Sequence, residues 1–144
     1  MLRVLIADDH PVVRQGVKQI LTEELQLKQF GEARNTREVL ENISRSKWDI
    51  LILDINLPDM NGLEILRQLK KAHPGLPVLV LTVFDEDQIA IRVLKACASG
   101  FVTKETMPNE LIEAVKKIHS GGKYVSPSLA EKLVFNIYTE DEKP

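Results

Sequence analysis

Each clearly apolar run in this chain ends on a polar group that could serve one reaction. Asp8 and Asp9 follow the first run, Asp54 the central one and Thr82 the next, with Lys104 after the short Phe101-Val102 pair. An Asp at a strand end commonly does no more than cap the loop that follows. Three carboxylates brought together, however, repel and raise one another's pKa unless a dication sits among them. Magnesium is the natural candidate, because the ligands are oxygens and a small cluster leaves room for waters and a phosphate oxygen. Asp8 or Asp9, with Asp54, would bind it directly, and Asn56 can add its backbone carbonyl. A carboxylate beside that ion, with an ammonium opposite and a hydroxyl nearby, is arranged to become an acyl phosphate. Asp54 would attack phosphorus, Lys104 and magnesium would neutralise the phosphoryl oxygens, and Thr82 would hydrogen-bond one of them. Phosphoryl transfer rests mostly on positioning and charge, so no separate general base is needed.

The elements that must position these groups alternate along the chain. Ile50 to Leu53, Leu2 to Ala7 and Val78 to Leu81 are apolar runs without alternation, as strands buried on both faces are. Lys28 to Ala33 is mixed in polarity and holds Gly31, and Phe101-Val102 is short, so both belong at sheet edges. Helical spacing fills the gaps. Pro11 opens a helix running to about Leu25 with Val13, Val17, Ile20 and Leu21 inward. Asn35 and Glu38 resemble a capping box ahead of Val39, Leu40 and Ile43. Leu63, Leu66 and Leu69 mark a third helix, stopped by His73-Pro74-Gly75. Asp85 can start a fourth, burying Ala90, Val93, Leu94 and Cys97, and a fifth begins near Pro108 and ends at Gly121-Gly122. Five strand-helix alternations predict an α/β fold: a flavodoxin-like, doubly wound, five-stranded parallel sheet of order 2-1-3-4-5 with helices on both faces. Its site lies beyond the carboxyl ends of the strands, between the first and third. Asp8, Asp9 and Asp54 would meet there.

Composition narrows the rest. At 144 residues one domain is expected, with a core large enough to need no staples. The single cysteine, Cys97, forms no internal disulfide, and no secretory signal or membrane-spanning run is visible, so a cytoplasmic protein without membrane contact is expected. Nineteen basic against 21 acidic residues, a formal charge of −2, give no general attraction to nucleic acid.

The wording of the chain resembles the receiver domain of two-component response regulators, closest to the NarL/FixJ (LuxR-type) subfamily. The resemblance rests on ADDHPVVRQGV, LDINLPDMNGLEIL, VLTVFDED, ASGFVTKE and IHSGGKYVSPSLAEKL, in that order. It implies that Asp9 and Asp54 bind magnesium with the Asn56 carbonyl while Asp8 assists. Asp54 would accept phosphate from a sensor histidine kinase, Thr82 and Phe101 would form the switch pair, and Lys104 would contact the phosphoryl group. It further implies a possible homodimer on phosphorylation, weak self-phosphorylation and self-dephosphorylation, and control of transcription through a DNA-binding output domain. Two positions depart from many receivers: Glu105 follows Lys104 where proline with a cis bond is common, and Val83 is larger than the usual small residue.

Residues 1–122 are thereby assigned to the receiver. Residues 123–144 read as an extra C-terminal helix, starting at Ser126-Pro127 with Leu129, Ala130, Leu133, Val134 and Ile137 on its apolar face, and as the start of a linker to an output domain absent here. The chain is then a truncation or a stand-alone receiver, the first preferred. The rival function is a magnesium-dependent phosphohydrolase using an aspartyl-phosphate intermediate. That chemistry wants a second carboxylate two residues after the nucleophile as general acid, and Asn56 stands there instead. A flavodoxin-like cofactor binder is weaker still, because the acidic loop after the first strand repels phosphate. His10 lies beside the acidic pair, where a surface role and contact with the site are both open. His73 and His119 read as solvated helix ends, Cys97 as core and Trp48 as packing.

Overall fold

The computed structural model describes residues 2–83 and 87–141. Five parallel strands form one sheet: β1 (Val4–Ala7), β2 (Phe30–Ala33), β3 (Ile50–Asp54), β4 (Val78–Thr82) and β5 (Gly100–Thr103), in the order β2-β1-β3-β4-β5. Helices α1 (Pro11–Leu25), α2 (Thr36–Arg45), α3 (Gly62–Ala72), α4 (Asp87–Lys95) and α5 (Met107–His119) connect them, and α6 (Pro127–Asp141) follows. Both the flavodoxin-like order and the edge placement of the two weak strands agree with the sequence reading.

The apolar strands lack alternation because each face has its own cover. Leu5, Leu51, Leu53, Val78 and Val80 join one core with Val39 of α2, Ile65 and Leu66 of α3, and Val93 of α4. Their neighbours Val4, Ile6, Ile50, Ile52, Leu79 and Leu81 join the other with Val17 and Leu21 of α1 and Leu111 and Val115 of α5. Period-two geometry sends alternate residues to opposite faces, so a strand between two helical layers must be apolar throughout. Register then aligns the strand ends. Ala7 pairs with Leu53, which puts Asp8 level with Asp54, and Thr82 pairs with Thr103, the residue before Lys104.

Several local expectations need correction. The second strand begins at Phe30 rather than Lys28, which is exposed. Leu40 is 42% exposed and Val134 is 53% exposed, so neither lies on the buried face assigned to it. Cys97 is exposed, with φ of 71°, and not core. The reason is the end of α4: Cys97 N–H bonds the Leu94 carbonyl and Ala98 N–H the Val93 carbonyl, the crossed pair of a left-handed helix stop. The expected start of that helix at Asp85 lies outside the described residues. Asn35 does accept from Glu38 N–H at 2.9 Å, but the Glu38 carboxylate takes Arg34 N–H at 2.9 Å rather than closing on Asn35. Among the described residues no peptide is cis, so Lys104-Glu105 is trans.

Tyr124 and Leu129, after α5, pack onto the domain. Tyr124 forms a parallel bridge with Gly100: Phe101 N–H donates to the Tyr124 carbonyl at 3.3 Å and Tyr124 N–H to the Ser99 carbonyl at 2.9 Å. Its hydroxyl donates to Glu110 Oε1 at 2.8 Å, and burial together with that carboxylate pushes the phenol well above its usual range. Leu129 of α6 reaches the core on the α4 side.

Candidate functional site

The carboxyl ends of β1, β3 and β5 converge on one acidic cluster. Asp8, directly after β1, is buried, and Asp9 beside it keeps 34% of its side chain exposed. Asp54, the last residue of β3, is buried, and Asn56 N–H donates to its Oδ1 at 3.0 Å. The loop-capping role open to a strand-end Asp is therefore filled by one oxygen of Asp54, while the other points at a cation. Lys104 Nζ lies 2.8 Å from Asp8 Oδ2 and 3.3 Å from Asp54 Oδ2. Burial pushes the Asp54 carboxyl up, and the neighbouring Asp8 charge adds to this against the Asn56 amide and Lys104. Burial works to lower Lys104, but its bonds and charge contacts with Asp8 and Asp54 outweigh it and hold the ammonium above its usual value.

Thr82 is fully buried at the end of β4, and its carbonyl accepts from Lys104 N–H at 2.7 Å, so the β4 and β5 ends are tied together. Phe101 is 5% exposed and packs into the core that holds Val93. Val83, one residue past Thr82, is 61% exposed. Every site residue singled out from the sequence thus lies at the carboxyl edge of the sheet except Phe101, the second residue of β5, two residues before the strand's end.

Two residues carry more of the site than their sequence signals imply. His10 Nδ1 sits 3.0 Å from both Asp8 Oδ1 and Asp9 Oδ1. Arg14 is buried on α1, donating from Nη1 to the Asp8 carbonyl at 2.6 Å and from Nε to Glu32 Oε1 at 3.1 Å. It clamps the loop that carries the acidic pair. The signal for it is present: Arg14 falls three residues before Val17 on the buried face, and a cation there requires partners.

Ligand atoms of Asp8, Asp9, His10 and Asp54 all lie within 4.8 Å of one another. Asp8 Oδ2 faces the Lys104 ammonium at 2.8 Å, and Asp9 Oδ1 faces His10 Nδ1 at 3.0 Å. Three carboxylates crowded in this way at the sheet's edge present a hard-oxygen donor set that fits a small dication.

A doubly wound parallel sheet of order 2-1-3-4-5 with an acidic cluster and a lysine at its carboxyl edge is the arrangement of a receiver domain. The chain belongs to the response regulator receiver domain family, whose pattern matches residues 4–116. It is 36% identical over 138 residues to the response regulator GacA of Pseudomonas protegens, covering 96% of this chain and 65% of that protein. With the transcriptional regulatory protein DegU of Brevibacillus brevis it shares 34% identity over 99% of this chain and 61% of DegU. This chain therefore spans somewhat less than two thirds of these relatives. Among solved structures, the isolated REC domain of RcsB from Salmonella enterica serovar Typhimurium, in the presence of phosphomimetic BeF3-, superposes with a TM-score of 0.83. Identity is 27%, over 90% of this chain and 96% of that one. A LuxR-family two-component response regulator from Aurantimonas gives 0.83 at 27% identity over 94% and 97%. These relatives are of the NarL/FixJ type, and they do not favour a phosphohydrolase. Among the described residues no helix is long and apolar enough to cross a membrane.

Proposed function

We propose that the chain is a phospho-accepting switch in which Asp54 takes a phosphoryl group from the histidine of a sensor kinase. The observation that carries this reading is Lys104 Nζ bridging Asp8 and Asp54 at the carboxyl edge of the sheet, with Asp9 beside them. A carboxylate oxygen of Asp54 forms the bond to phosphorus as the bond from phosphorus to the donor's imidazole nitrogen breaks. Asp8, Asp9, Asp54 and the Asn56 carbonyl would hold magnesium, which neutralises phosphoryl oxygens when bound. Lys104 turns from the carboxylates to a phosphoryl oxygen, and the Thr82 hydroxyl bonds another. Movement at Thr82 and Phe101 then remodels the surface of α4, β5 and α5, a two-state element biased by new charge. Slow self-phosphorylation from small donors and slow self-hydrolysis belong to the same chemistry.

In the longer proteins the chain resembles, residues 1–122 would be the receiver and 123–144 the lead to an output domain that binds DNA, with homodimerisation on phosphorylation. A cytoplasmic location follows from that role. Intact mass after incubation with a small-molecule phosphodonor, with and without magnesium, tests the reading. Wild type gains one phosphoryl group only with magnesium and Asp54→Asn gains none. Equal labelling of both chains would overturn Asp54 as the acceptor.

A further inference from the structure

Arg14 is a cation on the buried face of α1, and its guanidinium reaches two other parts of the fold at once. Nη1 donates to the Asp8 carbonyl at 2.6 Å, and Nε to Glu32 Oε1 of β2 at 3.1 Å. We propose that Arg14, steadied by Glu32, is a positioning residue that fixes the peptide joining Asp8 to Asp9 and thereby raises the affinity of the acidic cluster for magnesium. The inference rests on the cluster being a metal site, as proposed above.

The carbonyl that Arg14 holds belongs to the planar group running from the Asp8 Cα to the Asp9 Cα. Anchoring that oxygen therefore sets how two neighbouring carboxylates are aimed relative to each other. The other side of Asp8 is held by the sheet, since its N–H donates to the Ala33 carbonyl at 3.0 Å. Arg14 supplies the second fixed point, beyond which Asp9 leaves the strand with 34% of its side chain exposed.

Arg14 is itself tightly placed. Its side chain is only 11% exposed, and Lys18, one helical turn further on, donates from Nζ to the other Glu32 oxygen, Oε2, at 3.1 Å. Glu32 is thus gripped at both oxygens. Burial works to raise its carboxyl, but the bonds from Lys18 and Arg14 outweigh this and hold it below the usual carboxylate range, so it stays an anion. The planar fork of arginine suits a residue that must bond two acceptors in fixed directions, which the single ammonium of a lysine does not.

Charge and position make opposite predictions here. A cation close to a bound dication repels it, so an Arg14 acting by charge alone would weaken magnesium binding, and its removal would tighten it. An Arg14 acting by position does the reverse.

Calorimetry on the full chain measures magnesium affinity for wild type, Arg14→Met, Glu32→Ala and the double variant. Arg14→Met is expected to lose about tenfold or more in affinity, the scale of loss when a group that orients metal ligands is removed. Glu32→Ala loses less, and the double variant loses no more than Arg14→Met, because Glu32 acts through Arg14. In the metal-free chains, the amide order parameter of Asp9 from nuclear magnetic resonance relaxation falls in both single variants while that of Leu53 holds. A general loss of stability would not produce that local pattern. Unchanged or tighter magnesium binding by Arg14→Met would overturn the inference, and additive losses in the double variant would overturn the part given to Glu32. If Arg14→Met does not fold, Glu32→Ala on the exposed sheet edge carries the test, and an unchanged Asp9 order parameter there would overturn the proposal. A wild-type chain that binds no magnesium would remove the metal site itself, whereas each failure named before it leaves that site standing.

Discussion

Lys104 is the residue on which the metal-free site balances. Its ammonium is the cation between two buried carboxylates, Asp8 and Asp54, each with only 2% of its side chain exposed. Removing one partner of a buried ion pair leaves uncompensated charge, a loss of about 3 kcal/mol or more. Lys104→Ala is expected to lose that much in urea unfolding without divalent ions, and to recover more of it on adding magnesium than wild type gains. Asp54 behaves in the opposite sense. Its folded pKa is raised above the ordinary 3.8, by burial first and by Asp8 after, so the folded chain binds this proton more tightly than the unfolded chain. The stability it allows is fully present below the ordinary carboxylate range and falls as pH rises through the raised folded value. Asp54→Asn therefore stabilises the metal-free chain at neutral pH, and the gain disappears in acid. Thermal melts of both chains across that window check the sign, and a constant gain at every pH would contradict it.

At the scale of elements, the loop from Asp54 to α3 depends on Gly62. A Cβ there would come 2.3 Å from the Ile55 carbonyl oxygen and 2.4 Å from Ile55 Cα, which are backbone atoms that cannot swing aside. Gly62→Ala is expected to cost about 3 kcal/mol and, because Ile55 adjoins Asp54, to weaken magnesium binding as well. Calorimetry on the variant separates the two effects: lost stability with unchanged ion affinity would show that the loop gives way without moving Asp54. The elements also show what was legible beforehand. Strand order followed from apolar run length, because burial on two faces leaves an unmistakable pattern in Ile50 to Leu53 and Val78 to Leu81. Asp8, Asp54, Thr82 and Lys104 were legible as strand ends. Cys97 was not, since helical spacing places it inward while a left-handed stop turns it outward. Tyr124 was missed because a single residue bridging β5 has no period, and its phenol finds Glu110 only through the fold.

For the whole molecule, the segment after α5 is a structural member. Cutting the chain at Gly122 removes the Phe101-Tyr124 and Ser99-Tyr124 backbone bonds, the Tyr124-Glu110 bond and the buried side chain of Leu129. Loss of roughly 3 kcal/mol is expected from those contacts, measured by denaturant unfolding of the shortened chain against the full one. Sedimentation of the magnesium-bound chain with and without a phosphoryl mimic tests the other molecular expectation, that the remodelled face associates. The same monomer in both conditions would refute it.

The Tyr124 bridge also governs how copies of this chain can meet. An uncovered outer strand is a template on which another chain can lay a strand of its own, the route to edge-to-edge aggregation. The Phe101 N–H of β5 and the carbonyl of Ser99, just before the strand, are already taken by Tyr124. A visiting strand must first displace the chain's own tail. Growth of the sheet from the start of that strand is thereby hindered, because the first pairing position is already occupied by the chain itself.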